Sequence, residues 1–81
     1  MSSKIKNKTI AGRDHSRGAL LKSIRLRMGF SQEKIAQHMD LSFSAWSRHE
    51  NGIAHRFKPK NRAALQWLCD SQGISLPENL E

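Results

Sequence analysis

Four histidines, one cysteine and seven acids are the side chains of this 81-residue chain that could bind a metal or move a proton. His15, His38, His49, His55 and Cys69 fall at none of the spacings that zinc sites use. No metal or other cofactor is therefore expected. No carboxylate pair and no nucleophile–base motif is present either, so the chain does not read as an enzyme. What the sequence carries in quantity is cation. Its net charge is +7, and all fourteen Lys and Arg lie at or before Arg62 with only four acids among them. Residues 63–81 hold three acids and no Lys or Arg. A basic body with a mildly acidic end is the electrostatic footprint of a protein that meets a polyanion.

The elements that must position those cations follow from size and pattern. Eighty-one residues make one small domain with room for a single core. Cys69 has no second cysteine to pair with, which rules out an internal disulfide and fits a reducing compartment. No apolar run exceeds three residues and the N-terminus is polar, so neither a membrane span nor a secretory signal is expected. A cytoplasmic location is the resulting expectation.

Residues 1–15 have no helical period and carry Lys4, Lys6, Lys8 and Arg13, which reads as a flexible basic arm ahead of a domain at 16–81. Such an arm can lie along phosphates or enter a minor groove. Ser16 is the expected cap of a first helix to about Met28, with Leu20, Leu21, Ile24 and Met28 on one face and Gly29 as its stop. Gly18 weakens the start of that helix. Two short helices, each opened by a serine, should follow. The first runs from after Ser31 to near Met39 with Ile35, Ala36 and Met39 inward. The second, capped by Ser42, runs over 43–51 with Ala45 and Trp46 inward.

Residues 53–60 read as a basic loop, and Pro59 stands where a helix can start. A fourth helix over 60–71 should bury Ala64, Leu65 and Leu68, with Trp67 either in the core or at a dimer surface. Gly73 stops it, Ile74 and Leu76 pack back, and 77–80 can form a last turn. With no pattern of period two, the fold class is all-α, a compact bundle of four to five helices.

The residues of this bundle resemble a family. Ile24-Arg25, then MGFSQEKIAQHM, LSFSAWSRHENG and GISLPENL are similar to the lambda-repressor-like helix-turn-helix domains, the phage repressor, Cro and xenobiotic-response-element regulators. The most specific pieces are SQ-x-x-[IL]-A at 31–36 and the E-N-G at 50–52. The resemblance covers most of 20–80. It implies a structural ion pair of Arg25 with Glu50, and a small residue, Ala36, where the two short helices cross. Two positions depart from the pattern. Asp40 stands where the turn usually has glycine, and Asp tolerates the left-handed conformation better than most residues. His49 stands where an apolar residue is usual, and reads as a half-buried packing histidine.

The resemblance also implies how the domain would meet double-stranded DNA. The third helix would enter the major groove, with Phe43, Ser44 and Arg48 toward bases and Ser47 at the margin. Gln32 would clamp a phosphate, with Ser42, Asn51, His55, Arg56 and Lys58 as further phosphate contacts. A homodimer on an inverted repeat follows, serving as a repressor or autorepressor of a phage or mobile element. The alternative is a DNA-binding antitoxin whose main role is to mask a toxin partner. RNA binding finds less support, because no aromatic stacking surface of the usual kinds is present.

Overall fold

The computed structural model describes residues 15–54 and 56–77. All regular structure among them is helical: α1 (His15–Met28), α2 (Gln32–Met39), α3 (Phe43–Glu50) and α4 (Pro59–Gln72). Residues 1–14 of the arm expected at 1–15, His55 and residues 78–80 of the turn expected at 77–80 lie outside the described residues, and His15 already belongs to α1.

The two short helices are built by their caps. Ser31 Oγ accepts from the Lys34 N–H and Ser42 Oγ from the Ala45 N–H, each at 3.0 Å. Each bond satisfies one of the donors that a helix start leaves open. α2 ends at Asp40, the one non-glycine residue with positive φ among those described (φ 59, ψ 43). The Leu41 N–H reaches back to the Ala36 carbonyl at 2.9 Å, which closes the helix end. The chain then needs only Leu41 and Ser42 before α3 begins. Asp40 thus fills the place usually given to glycine, and its carboxylate meets Lys60 in an exposed pair at 3.3 Å.

The core is one cluster. Leu21 and Ile24 of α1, Ile35, Ala36 and Met39 of α2, Trp46 of α3 and Leu65, Leu68 and Cys69 of α4 are all buried, and Phe57 and Ile74 join from the connections. Helices of eight residues are not stable by themselves in water. Packing against α1 and α4 supplies what their own hydrogen bonds lack.

Several expectations need correction. Ser16 lies inside α1, which is already helical at His15, so it does not cap the helix. Gly18 is no weak point either. It is buried, and a Cβ placed on it would stand 2.2 Å from the Glu50 carbonyl oxygen, so α1 approaches the end of α3 as closely as backbone allows. α4 starts at Pro59 and runs to Gln72, one residue beyond the expected span at each end, because proline suits the first helical position. Ala64 is only half buried, and Trp67 is 69% exposed, outside the core. The loop at 53–58 is not merely basic, for Phe57 is buried against Trp46 and His49.

Gly18→Ala should therefore destabilise the protein by about 1–3 kcal/mol, the cost of forcing extra volume into a filled contact. Urea unfolding followed by circular dichroism measures it. A midpoint equal to that of the parent chain would mean that α1 can move away from α3 freely.

Candidate nucleic-acid interface

The candidate interface is organised by the last residue of α3. Glu50 has a side chain only 3% exposed, and it carries a charge. A buried carboxylate is costly unless donors surround it. Three helices supply them. Arg25 of α1 donates from Nε at 2.5 Å and from Nη2 at 3.3 Å, Gln32 of α2 from Nε2 at 2.9 Å, and Trp46 of α3 from its indole N–H. The third nitrogen of Arg25, Nη1, donates to the Phe30 carbonyl at 2.9 Å, which ties the α1–α2 turn to the same group.

Burial by itself pushes the Glu50 carboxyl up. The hydrogen bonds from Arg25, Trp46 and Gln32, with the charge of Arg25, outweigh it and hold the group below its ordinary value. At Cys69 burial dominates, and with Asp70 beside it pushes the thiol up.

A second cluster braces α3 from its inner side. Arg17 Nη1 donates to His49 Nδ1 at 3.1 Å and to the Ala54 carbonyl at 3.2 Å. Because a guanidinium cannot accept, His49 Nδ1 is the acceptor and the ring proton sits on Nε2. The Phe57 ring stacks on His49 with centroids 4.1 Å apart, and the Arg17 guanidinium lies 4.8 Å from the Phe57 centroid. Sequence pattern missed Arg17 and Phe57 as partners of His49. Arg17 reads as one more surface cation and Phe57 as a loop residue, and the only signal was an aromatic just ahead of Pro59. Asn61 was missed too: buried, it donates to the Met39 carbonyl at 2.8 Å and joins α4 to the end of α2.

With Trp46 and His49 turned inward, the opposite face of α3 is open. Ser44, Arg48 and Asn51 are exposed and Ser47 is half buried, at the i, i+3, i+4, i+7 spacing of one helical face. Phe43 stands beside them, 50% exposed, rather than folded back on the core. Asn51 Nδ2 lies 3.4 Å from Ser47 Oγ.

The residues singled out for phosphate contact divide. Ser42 and Gln32 flank α3 and α2, but both are engaged within the fold. The Ser42 hydroxyl caps α3, and the Gln32 amide is bound to Glu50. Arg56 and Lys58 are exposed on the loop before α4, and His55 lies outside the described residues. Between α1, α2 and the end of α3 opens a cleft of about 570 Å³, with Lys22, Gln32, Glu50 and Asn51 on its walls. Among the described residues no three His, Cys, Asp or Glu come together as a metal would require, and no helix is long and apolar enough to cross a membrane.

Compared with protein-family models, with curated proteins and with solved structures, the chain gives no match. The reading of its function therefore rests on the residues themselves.

The Glu50 site has a consequence for acid stability. Its folded pKa lies below the ordinary glutamate value of 4.5 that it takes in the unfolded chain. Its contribution is then full above that unfolded value and is lost as pH falls through the lower folded one. Glu50→Gln should lower stability near neutral pH and flatten the loss of stability on acidification from about pH 5 to pH 3. Urea midpoints measured across that range test this. An equally steep acid limb in the variant would assign it to other carboxylates.

Proposed function

We propose that the chain is a sequence-specific double-stranded DNA-binding transcriptional regulator in which α2 and α3 act as a helix-turn-helix. The observation that carries this reading is the open face of α3, where Phe43, Ser44, Ser47 and Arg48 stand on a helix clamped from behind. A groove-reading helix needs its donors held in place before contact, because every side chain frozen on binding costs affinity.

Each residue type suits its role. The Arg48 fork matches the two acceptors on the major-groove edge of guanine, Ser44 and Ser47 can donate or accept, and Phe43 can pack on a thymine methyl group. Arg56 and Lys58 beyond α3, with the +7 net charge, supply attraction to the phosphate backbone without reading sequence. The resemblance of 31–52 to the phage repressor and Cro domains points the same way, toward a repressor or autorepressor.

A single such helix spans only a few base pairs, so a homodimer on an inverted repeat with half-sites roughly 10 bp apart completes the reading. α4 is the surface proposed for the dimer. It presents Trp67 at 69% exposure, in the part of the chain with no positive residue after Arg62. An exposed tryptophan of that extent is the kind of side chain that interfaces favour.

Arg48→Ala should abolish the preference for operator over random duplex while leaving salt-sensitive binding to both. Gel-shift titrations against a selected operator and a scrambled duplex measure it. Intact discrimination in that variant would remove α3 as the reading element. For the parent chain, affinity should fall by about 10³–10⁵-fold between 50 and 200 mM salt if roughly 6–10 phosphates are contacted.

A further inference from the structure

His49 puts a titratable side chain where the pattern of 31–52 has an apolar one, and it is only 6% exposed near the end of α3. Two other elements meet it. From α1, Arg17 Nη1 donates to its Nδ1 at 3.1 Å and to the Ala54 carbonyl at 3.2 Å. From the loop before α4, the Phe57 ring stacks on the imidazole, and Arg17 lies 4.8 Å from that ring's centroid. On α3 itself the neighbouring charges are Arg48, which is exposed, and Glu50, whose carboxylate is turned to Arg25, Gln32 and Trp46. The bond from Arg17 needs an unprotonated Nδ1, because a guanidinium has donors and no acceptor. A proton there would turn the acceptor into a donor and set two cations side by side away from water. The face of Phe57 attracts a cation, but it already attracts that of Arg17.

We propose that His49 is a pH-sensitive latch: its neutral ring joins Arg17 and Phe57 behind α3, and its protonation releases both and loosens the loop at 53–58. The proton enters at Nδ1, so the Arg17–His49 bond is the first to go. With it weakens the hold of Arg17 on the Ala54 carbonyl and the seat of Phe57 on His49 and Trp46. Arg56 and Lys58 flank Phe57 in the chain and are exposed, so the state of this ring decides how firmly their loop is placed. The consequence for duplex binding rests on the DNA-binding reading, whereas the latch itself does not. Charge alone would act in the opposite direction, because histidines that gain protons make the chain more attractive to phosphates. The latch is therefore recognised by its sign: duplex binding weakens as pH falls.

The test is urea unfolding of the full chain and of His49→Asn at about pH 7.5 and about pH 5.5, a range above that in which Glu50 acts. Asparagine keeps an acceptor oxygen near the place of Nδ1 and takes up no proton. A histidine of the unfolded chain takes up its proton near about pH 6.5. If the native ring stays neutral, protons favour the unfolded chain by about tenfold across this range, and stability falls with pH. The parent chain should therefore lose about tenfold more of its folding equilibrium constant than His49→Asn does. An equal loss in the two chains would overturn the latch. So would disappearance of the loss in Asp14→Asn or in His55→Gln, two titratable residues near Arg17 and Ala54 in sequence that lie outside the described residues.

Should His49→Asn fail to fold, the ring nitrogen resonances of His49 in the unaltered chain serve instead. At the higher pH, Nδ1 should give the signal of an unprotonated nitrogen and Nε2 that of a protonated one. As the ring takes its proton, the backbone amides of Ile53, Ala54 and Phe57 should move with it. The opposite tautomer, or a ring that titrates while those amides stay still, would overturn the proposal. At constant ionic strength, duplex binding by the parent chain should weaken over the same pH range, while that of His49→Asn should not. Tightening in both chains would reduce His49 to a packing residue. A parent chain that binds no duplex at any pH removes the DNA-binding reading and leaves the unfolding and resonance results to decide the latch.

Discussion

A single carboxylate placed at the junction of three helices constrains this structure more than any other group. Glu50 cannot be buried as an anion unless Arg25, Gln32 and Trp46 all point at it, and those donors come from α1, α2 and α3. Satisfying the charge therefore fixes the mutual placement of the helices. Buried ion pairs add little net stability, because the cost of leaving water offsets much of the attraction. Breaking one is another matter, on the order of 3–5 kcal/mol, since a lone charge stays behind. The Glu50 network thus penalises other arrangements of α1, α2 and α3 more than it stabilises the native one.

The close approach of α1 to α3 works with that network. Gly18 lets the α1 backbone reach the Glu50 carbonyl, and beside it Arg17 reaches His49 and the Ala54 carbonyl. Phe57 then closes over His49 and Trp46. α3 is held along its inner face from its middle to its end, although eight residues give it few hydrogen bonds of its own. The strip from Phe43 through Ser44 and Arg48, with half-buried Ser47 beside it, forms the more open face. A rigid helix offering short polar groups and one arginine is suited to reading a fixed pattern of donors and acceptors.

The cations of this chain are confined to its first 62 residues. The Lys and Arg end at Arg62, early in α4, and the most exposed large apolar side chain among the described residues, Trp67, lies beyond that point. A surface that approaches phosphates gains from cations, whereas a surface that approaches its own copy loses from them. The division allows one small domain to offer two different faces.

Local chemistry made much of this legible from sequence. Serine before each short helix, apolar residues at three- and four-residue spacing and glycine or proline at the boundaries are signals carried within a few residues, and α2, α3 and α4 stand within a residue or so of where those signals place them. The left-handed Asp40 was also readable, because the turn is short and Asp tolerates that conformation. Other features had no local signal. Gly18 looks like a poor helix residue until the Glu50 carbonyl is beside it, and Ser16 looks like a cap until α1 is seen to begin earlier. Arg17, Phe57 and Asn61 look like surface residues until His49, Trp46 and the Met39 carbonyl meet them from other elements of the fold. Sequence by itself determined the helices and the position of the basic region, since these depend on neighbours in the chain. The tertiary structure decided which polar groups are spent inside and which remain for a partner, since a buried charge chooses its donors through space.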